Sequence, residues 1–174
     1  MLSIPKSTNP AFDHTGASAN IQQNYPEVFF LCQTYEEGAP PIPTRSVAVP
    51  AGRSIFMPII NWISVLHCDG ETEHELVEIA TKKMDVVADL QVTVNGIKLK
   101  NRLEEYRIQS QCFDVMLSED NILSSAPGPK RAVSDGYWLF FKLCDGDISI
   151  SSFGSCSSGI NKIGVRYNLS TETV

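Results

Sequence analysis

Apolar and polar positions along this chain fall into short runs, most at the period of two that a strand requires and one at the period of a helix. The densest is Val47 to Asn61 (VAVPAGRSIFMPIIN), where two apolar stretches flank Pro50-Ala51-Gly52. Proline and glycine together mark a turn, so the segment reads as a pair of core strands joined by it. Pro58 has no N–H to give a ladder and belongs at an edge or a bulge. Upstream, residues 1–23 carry turn signals (Asn9-Pro10, Asp13-His14-Thr15-Gly16) and little periodicity, which predicts an extended leader lying across the body. Glu27 to Tyr35 contains four successive apolar residues, the mark of a strand covered on both sides. The proline-rich stretch Glu36 to Thr44 is a loop.

Beyond Asp69-Gly70 the period changes. Thr72 and Glu75 form a capping box, and Leu76, Ile79, Ala80, Met84 and Val87 recur at helical spacing, which predicts an amphipathic helix over 72–88. Leu90 to Val94 alternates, and Asn95-Gly96 turns it back into Ile97 to Lys100 as a hairpin. Tyr106 to Leu117 is a strand whose alternation changes phase near Cys112-Phe113, as at a bulge or a change of sheet. Residues 118–136 form the longest loop, of the kind that covers or builds a site. Tyr137 to Leu143 is the most aromatic strand, and Asp145-Gly146 turns it into Asp147 to Phe153. The serines at 151, 152, 155, 157 and 158 read as a flexible link, and Ile163 to Leu169 as a final half-buried strand. The predicted fold is mainly β: a single domain over 1–174, an antiparallel two-sheet β-sandwich, jelly-roll-like, with one inserted amphipathic helix.

Charge narrows the partners. The 174 residues carry a net charge of −6 with Lys and Arg scattered, so the basic stripe that nucleic acid requires is missing. No apolar run approaches the roughly 20 residues of a membrane span, and residues 1–6 lack the apolar region of a signal peptide, which predicts a soluble chain. Five cysteines without a CxxC spacing exclude a zinc ribbon or a thioredoxin motif. They leave open one bridge, two bridges with a spare thiol, or five free thiols. With no GxSxG, GxGxxG or Walker pattern, neither a hydrolase elbow nor a nucleotide cofactor is expected.

The pieces SIPKSTNPAFDHTG, VPAGRSIFMPIIN, an acidic helix, VNG, YRIQS and AVSDGYWLFFK followed by ISI resemble, in this order, a family of uncharacterised, often secreted bacterial and archaeal proteins. The family pattern reads VPAGK-FFP-N and SDGYW with a GxHxI hairpin. The resemblance covers most of the chain and implies a compact β-sandwich exported from the cell, with an extracellular or periplasmic location. Arg53 stands where the family has Lys, Asp145-Gly146-Asp147-Ile148 where it tends towards Gly-Lys-His, and no signal segment precedes Ser3. If that last difference is native, a cytoplasmic location follows. The family's activity is unassigned, so no residue role carries over.

Two constellations hold candidate chemistry. His67, Cys68, Asp69, Glu71, Glu73 and His74 lie within eight residues where a loop enters the helix, and His67, Asp69 and His74 could converge on one divalent metal ion. The spacing matches no recognised zinc pattern, and the glutamates have a plain role at the positive end of the helix dipole. Ser134-Asp135-Gly136-Tyr137-Trp138 closes the long loop. There Asp135, with His67 and His74, is a candidate general acid or base, and Asn61, Trp62, Tyr137 and Trp138 are candidate ligand-binding residues around a pocket. An alternative makes Asp135-Gly136 an ordinary turn and divides the aromatics between core and surface.

The leading expectation is a non-catalytic ligand-binding or interaction module, its partner a small molecule, a protein or a second copy. The alternative is a small β-sandwich or barrel enzyme using Asp/His acid–base or metal chemistry on a small molecule between the sheets. A module should show a shallow aromatic patch or a broad apolar interface, an enzyme a concave pocket that gathers the ionisable groups.

Overall fold

The computed structural model describes residues 1–35, 42–99, 102–143, 146–157 and 162–172. Most of the expected proline-rich loop, the Asp145 half of the expected Asp145-Gly146 turn, Cys144 and residues 158–161 lie outside the described residues. In chain order the elements are β1 (Val28–Phe30), β2 (Thr44–Pro50), β3 (Ser54–Val65), α1 (Glu73–Asp85), β4 (Val87–Val94), β5 (Ile97–Lys98), β6 (Arg107–Gln109), β7 (Phe113–Leu117), β8 (Gly128–Lys142), β9 (Ile148–Cys156) and β10 (Lys162–Glu172). Sheet I runs β1-β3-β8-β6 with β7 also on β8, and sheet II runs β2-β10-β9-β4-β5.

Several elements form where local chemistry dictates. The side chain of Thr72 accepts from the Glu75 amide and Glu75 reaches back to the Thr72 amide, closing the capping box of α1. Asn95 (φ 49°) and Gly96 (φ 78°) both adopt the left-handed backbone of a two-residue hairpin between β4 and β5. Pro58 sits at a bulge, since its partner is Trp138 while the next pairing is Ile60 with Tyr137. Between the pairs Gln109–Asp135 and Phe113–Ala132, three residues face two, so the phase change at Cys112-Phe113 is one extra residue in an edge that stays on β8.

Other expectations are corrected. The sheets are mixed: β1 runs parallel to β3, and β2 parallel to β10. The Val47–Asn61 segment is no hairpin, because β2 lies in sheet II and β3 in sheet I. Pro50-Ala51-Gly52 is therefore a corner between sheets, tied down where the Ala51 amide donates to the Glu172 carbonyl. The loop expected at 118–136 ends at residue 127, since β8 begins at Gly128, and Ser134-Asp135-Gly136 is mid-strand rather than a turn. Ser151, Ser152 and Ser155 belong to β9 rather than to a flexible link.

The sheets face each other over a common core of Phe29, Ile55, Met57 and Leu139 from sheet I and Val47, Val49, Ile150, Val165 and Leu169 from sheet II. A Cβ on Gly154 would stand 2.7 Å from the Ile60 Cβ, so only glycine lets β9 pass this close to β3. The bulge in β3 strands two carbonyls, and buried Gln33 takes them up. Its Nε2 donates to Pro58 O (3.1 Å) and Ile59 O (2.7 Å) and also reaches Ser152 Oγ of sheet II (2.6 Å).

Arg45 is the largest buried side chain, 1% exposed, and no carboxylate pairs with it in the bonds it makes. Its guanidinium donates to the carbonyls of Ala11, Asp13 and Cys32 and to the Tyr167 hydroxyl. A buried cation is tolerated when it is well hydrogen-bonded, and here each guanidinium nitrogen donates at least once, clamping the leader onto the body. Asp13 organises the next turn. Burial opposes its charge, but bonds from the Ser18 amide and from the Thr15 hydroxyl and amide outweigh burial and hold it down at about 2.

Helix α1 lies on sheet I beyond sheet II, where Leu76 and Ala80 pack with Val133 against Trp62. No helix among the described residues is long and apolar enough to cross a membrane. Cys32, Cys68, Cys112 and Cys156 are free thiols.

Candidate functional site

The face of sheet I turned away from sheet II is divided in two. Its upper half, Ile63, Val65 and Ala132, is covered by Leu2 and Phe12 of the leader and by Ile122 and Leu123 of the loop before β8. Among the described residues its lower half has no such cover, yet it holds the denser set of rings. Strand pairing puts Phe30, Phe56 and Phe140 opposite one another on β1, β3 and β8. Phe56 packs edge-on to Phe30 (5.8 Å between centroids) and stacks on Trp138 (5.1 Å, 15°), while Tyr25 closes edge-on against Phe30 (5.6 Å). Trp138 donates its indole N–H to the Ile108 carbonyl of β6 (3.2 Å), which carries the band to the far edge.

Exposure makes this arrangement unusual. Tyr25 is 64% exposed, Ile108 63%, Phe140 63% and Phe30 39%, in contact or in adjoining rows rather than scattered. Isolated apolar side chains on a surface need no explanation, but a contiguous patch marks a place of interaction. None of the six side chains is charged in a chain of net charge −6. Lys142 stands one row away, opposite Ser54.

The residues singled out in the sequence separate onto two faces. Asn61 and Trp138 lie on the outer face, Asn61 at the border of the covered half, opposite Gly136. Trp62, Asp135 and Tyr137 point the other way. Trp62 lies under α1 with the Lys83 ammonium 4.4 Å over its ring, and Tyr137 joins the core between the sheets. Asp135 is 1% exposed, and its carboxylate accepts from Arg107 Nε (3.1 Å), Arg107 Nη2 (2.7 Å) and Gln109 Nε2 (3.4 Å). Arg107 also donates to Asp85 and to the Thr81 carbonyl at the end of α1. Bonding to Asp135 foremost holds its guanidinium protonated well above the ordinary range. The cluster fastens the helix to the sheet edge, and all of its oxygens toward Arg107 are occupied.

His67, Asp69 and His74 do not meet at one point. His67, in a left-handed backbone (φ 63°), pairs with Glu71 (2.9 Å), and His74 pairs with Glu78 (3.3 Å). Asp69 accepts from the Val65 amide, closing the turn after β3. Among the described residues no group of three or more His, Cys, Asp or Glu is placed to hold a metal ion. His67, Cys68, Asp69, Glu71, Glu75, Glu78 and Ile79 do line an open cleft of about 360 Å³. Asp135 and His74 are absent from its lining, so of the three candidate acid–base residues only His67 faces the cleft, while Asp135 is in a buried structural pair and His74 is an exposed partner of Glu78.

No family model, curated protein or solved structure matches the chain. The sequence named Trp138 and Asn61 at the outer face but missed Tyr25, Phe30, Phe56, Ile108 and Phe140. The signal that marks them is cross-strand: Phe30, Phe56 and Phe140 share a row only after β1, β3 and β8 are placed in register.

Proposed function

We propose that this chain is a non-catalytic interaction module that engages its partner through the bare lower half of the outer face of sheet I. One observation carries this reading: among the described residues, the leader and a loop cover one half of that face, and the other half, rich in exposed rings, has no such cover. Burying an exposed ring stabilises by roughly 1.5–3 kcal/mol, a gain that the isolated chain forgoes at several rings and that a partner would supply. Rings immobilised against each other lose little conformational entropy on binding, which suits them as anchors.

A second reading keeps acid–base chemistry on a small molecule, now in the His67–Ile79 cleft, whose volume of about 360 Å³ lies within the ligand-pocket range of roughly 300–1,000 Å³. One experiment separates the two. Amide NMR spectra of the full chain, titrated with a library of small aromatic, sugar and peptide fragments, should shift residues of β1, β3, β6 and β8. Shifts confined to residues 67–79 would transfer the function to the cleft and overturn the first reading.

A further inference from the structure

Resting on that reading, we infer that the partner seated on the bare face is a second copy of this chain, joined in an isologous dimer that packs sheet I against sheet I. Three observations point to this occupant. The first is area. At the 150–250 Å² that an aromatic side chain carries, the exposed fractions of Tyr25, Phe30, Phe140 and Ile108, with the partly exposed Phe56 and Trp138, amount to about 500 Å² of apolar surface. Homodimer interfaces are about 65% apolar, so a core of this size implies about 770 Å² per partner. A stable interface buries about 800 Å² per partner. The band is thus the size of a dimer core, and at the upper end of the roughly 300–600 Å² that a monomer leaves exposed.

The second is charge. Two copies of a chain with net charge −6 repel unless the surfaces that meet carry no excess of one sign. The acidic residues of the His67–Glu78 cleft lie on a different part of the molecule, whereas the band is uncharged. Charges of both signs flank its lower end: Lys142 is paired opposite Ser54, whose amide donates to the Glu27 carbonyl. A two-fold interface requires a surface to be its own complement. A neutral row of rings meets that requirement, and a patch of one charge does not.

The third is shape. The band crosses sheet I from Tyr25, beyond β1, to Ile108 on β6, and its rings stand in strand register. Such a face can lie on an identical one at the ~10 Å spacing of packed sheets. Sheet I would then be covered on both sides, by sheet II within the chain and by its twin across the two-fold axis.

Sedimentation equilibrium of the full chain over a concentration series tests this. The expected result is a species of twice the 19.2 kDa chain mass at micromolar concentration. The variants Phe140→Lys and Ile108→Lys, at exposed positions outside the core, should each weaken association at least tenfold and leave the circular dichroism spectrum unchanged, as well as the urea midpoint measured at a concentration low enough that the wild-type chain is monomeric. A wild-type chain that stays monomeric to several hundred micromolar overturns the dimer, as does a dimer that both variants leave intact. If the monomeric chain nevertheless shows fragment-induced amide shifts in β1, β3, β6 and β8, the dimer alone fails and the interaction face stands. If those shifts are also missing, both fail.

Discussion

Asp135 and Arg107 offer the sharpest test of what holds the helix to the sheet, because the two members of the pair sit in unequal surroundings. Asp135 is 1% exposed and accepts three hydrogen bonds, two of them from Arg107 at 3.1 and 2.7 Å. Arg107 is 27% exposed and retains Asp85 at 2.7 Å as a second partner. Removing the arginine leaves a buried carboxylate facing only a long bond from Gln109, a change that costs roughly 3–5 kcal/mol when a buried pair loses one member. Asp135→Asn keeps the shape and leaves Arg107 both water and Asp85, so the loss should be about 1–3 kcal/mol. Urea unfolding of Arg107→Met, Asp135→Asn and the double variant measures both terms, provided the m-values stay equal. The double variant should cost less than the sum by about 1–3 kcal/mol, since the residues are in direct contact. Should Arg107→Met prove no more costly than Asp135→Asn, the buried carboxylate is not the expensive partner.

Further expectations follow from the leader and from the space between the sheets. Arg45→Met leaves the Asp13 carbonyl without its donor, while the Ala11 carbonyl keeps the Tyr35 amide; at about 1–3 kcal/mol for a buried acceptor left unpaired, the loss should be about 1–3 kcal/mol, with faster proteolysis and hydrogen exchange confined to residues 1–24. Asp13, held at about 2 in the folded chain against about 3.9 in an unfolded one, contributes stability that is complete above about pH 4 and lost as pH falls towards 2. Asp13→Asn should therefore flatten the acid limb of the urea-midpoint profile in that window, and an unchanged limb would reject the assignment. Gly154→Ala sets a Cβ 2.7 Å from that of Ile60 and should cost about 1–3 kcal/mol of overpacking. Gly96→Ala, with open space but φ +78°, should cost only about 1 kcal/mol. Thermal unfolding of the two, compared side by side, checks that order.

What was legible in the sequence was whatever is decided within a few residues. The capping box at Thr72, the Asn95-Gly96 hairpin, the extra residue near Cys112 and the bulge at Pro58 depend on backbone conformation over a turn or less, and each appears where its residues demand. The pairing of β2 with β10 joins Thr44 to Arg166, and nothing near either residue records it. The Pro50-Ala51-Gly52 turn announces a reversal without saying whether the flanking strands pair, so a corner between sheets reads the same as a hairpin. Residues 128–136 looked like loop because Gly128, Pro129, Lys130 and Arg131 break the apolar alternation, yet they form the outer end of a fifteen-residue strand held by β3 and β7. Asp135 was misplaced for the same reason: its partner Arg107 is twenty-eight positions away and its burial depends on α1. The bare band was the least legible feature. Phe30, Phe56, Trp138 and Phe140 occupy ordinary strand positions and Tyr25 lies outside any strand, and only the exposure of this half of the face distinguishes these rings from core.

The most direct test of the interaction face is a concentration series of amide NMR spectra, recorded from a few micromolar to several hundred micromolar. Progressive shifts and broadening gathered on residues 25–30, 54–58, 107–109 and 137–142, and abolished by Phe140→Lys, are the predicted result. Shifts gathered instead on residues 67–79, or surviving Phe140→Lys unchanged, would contradict the account.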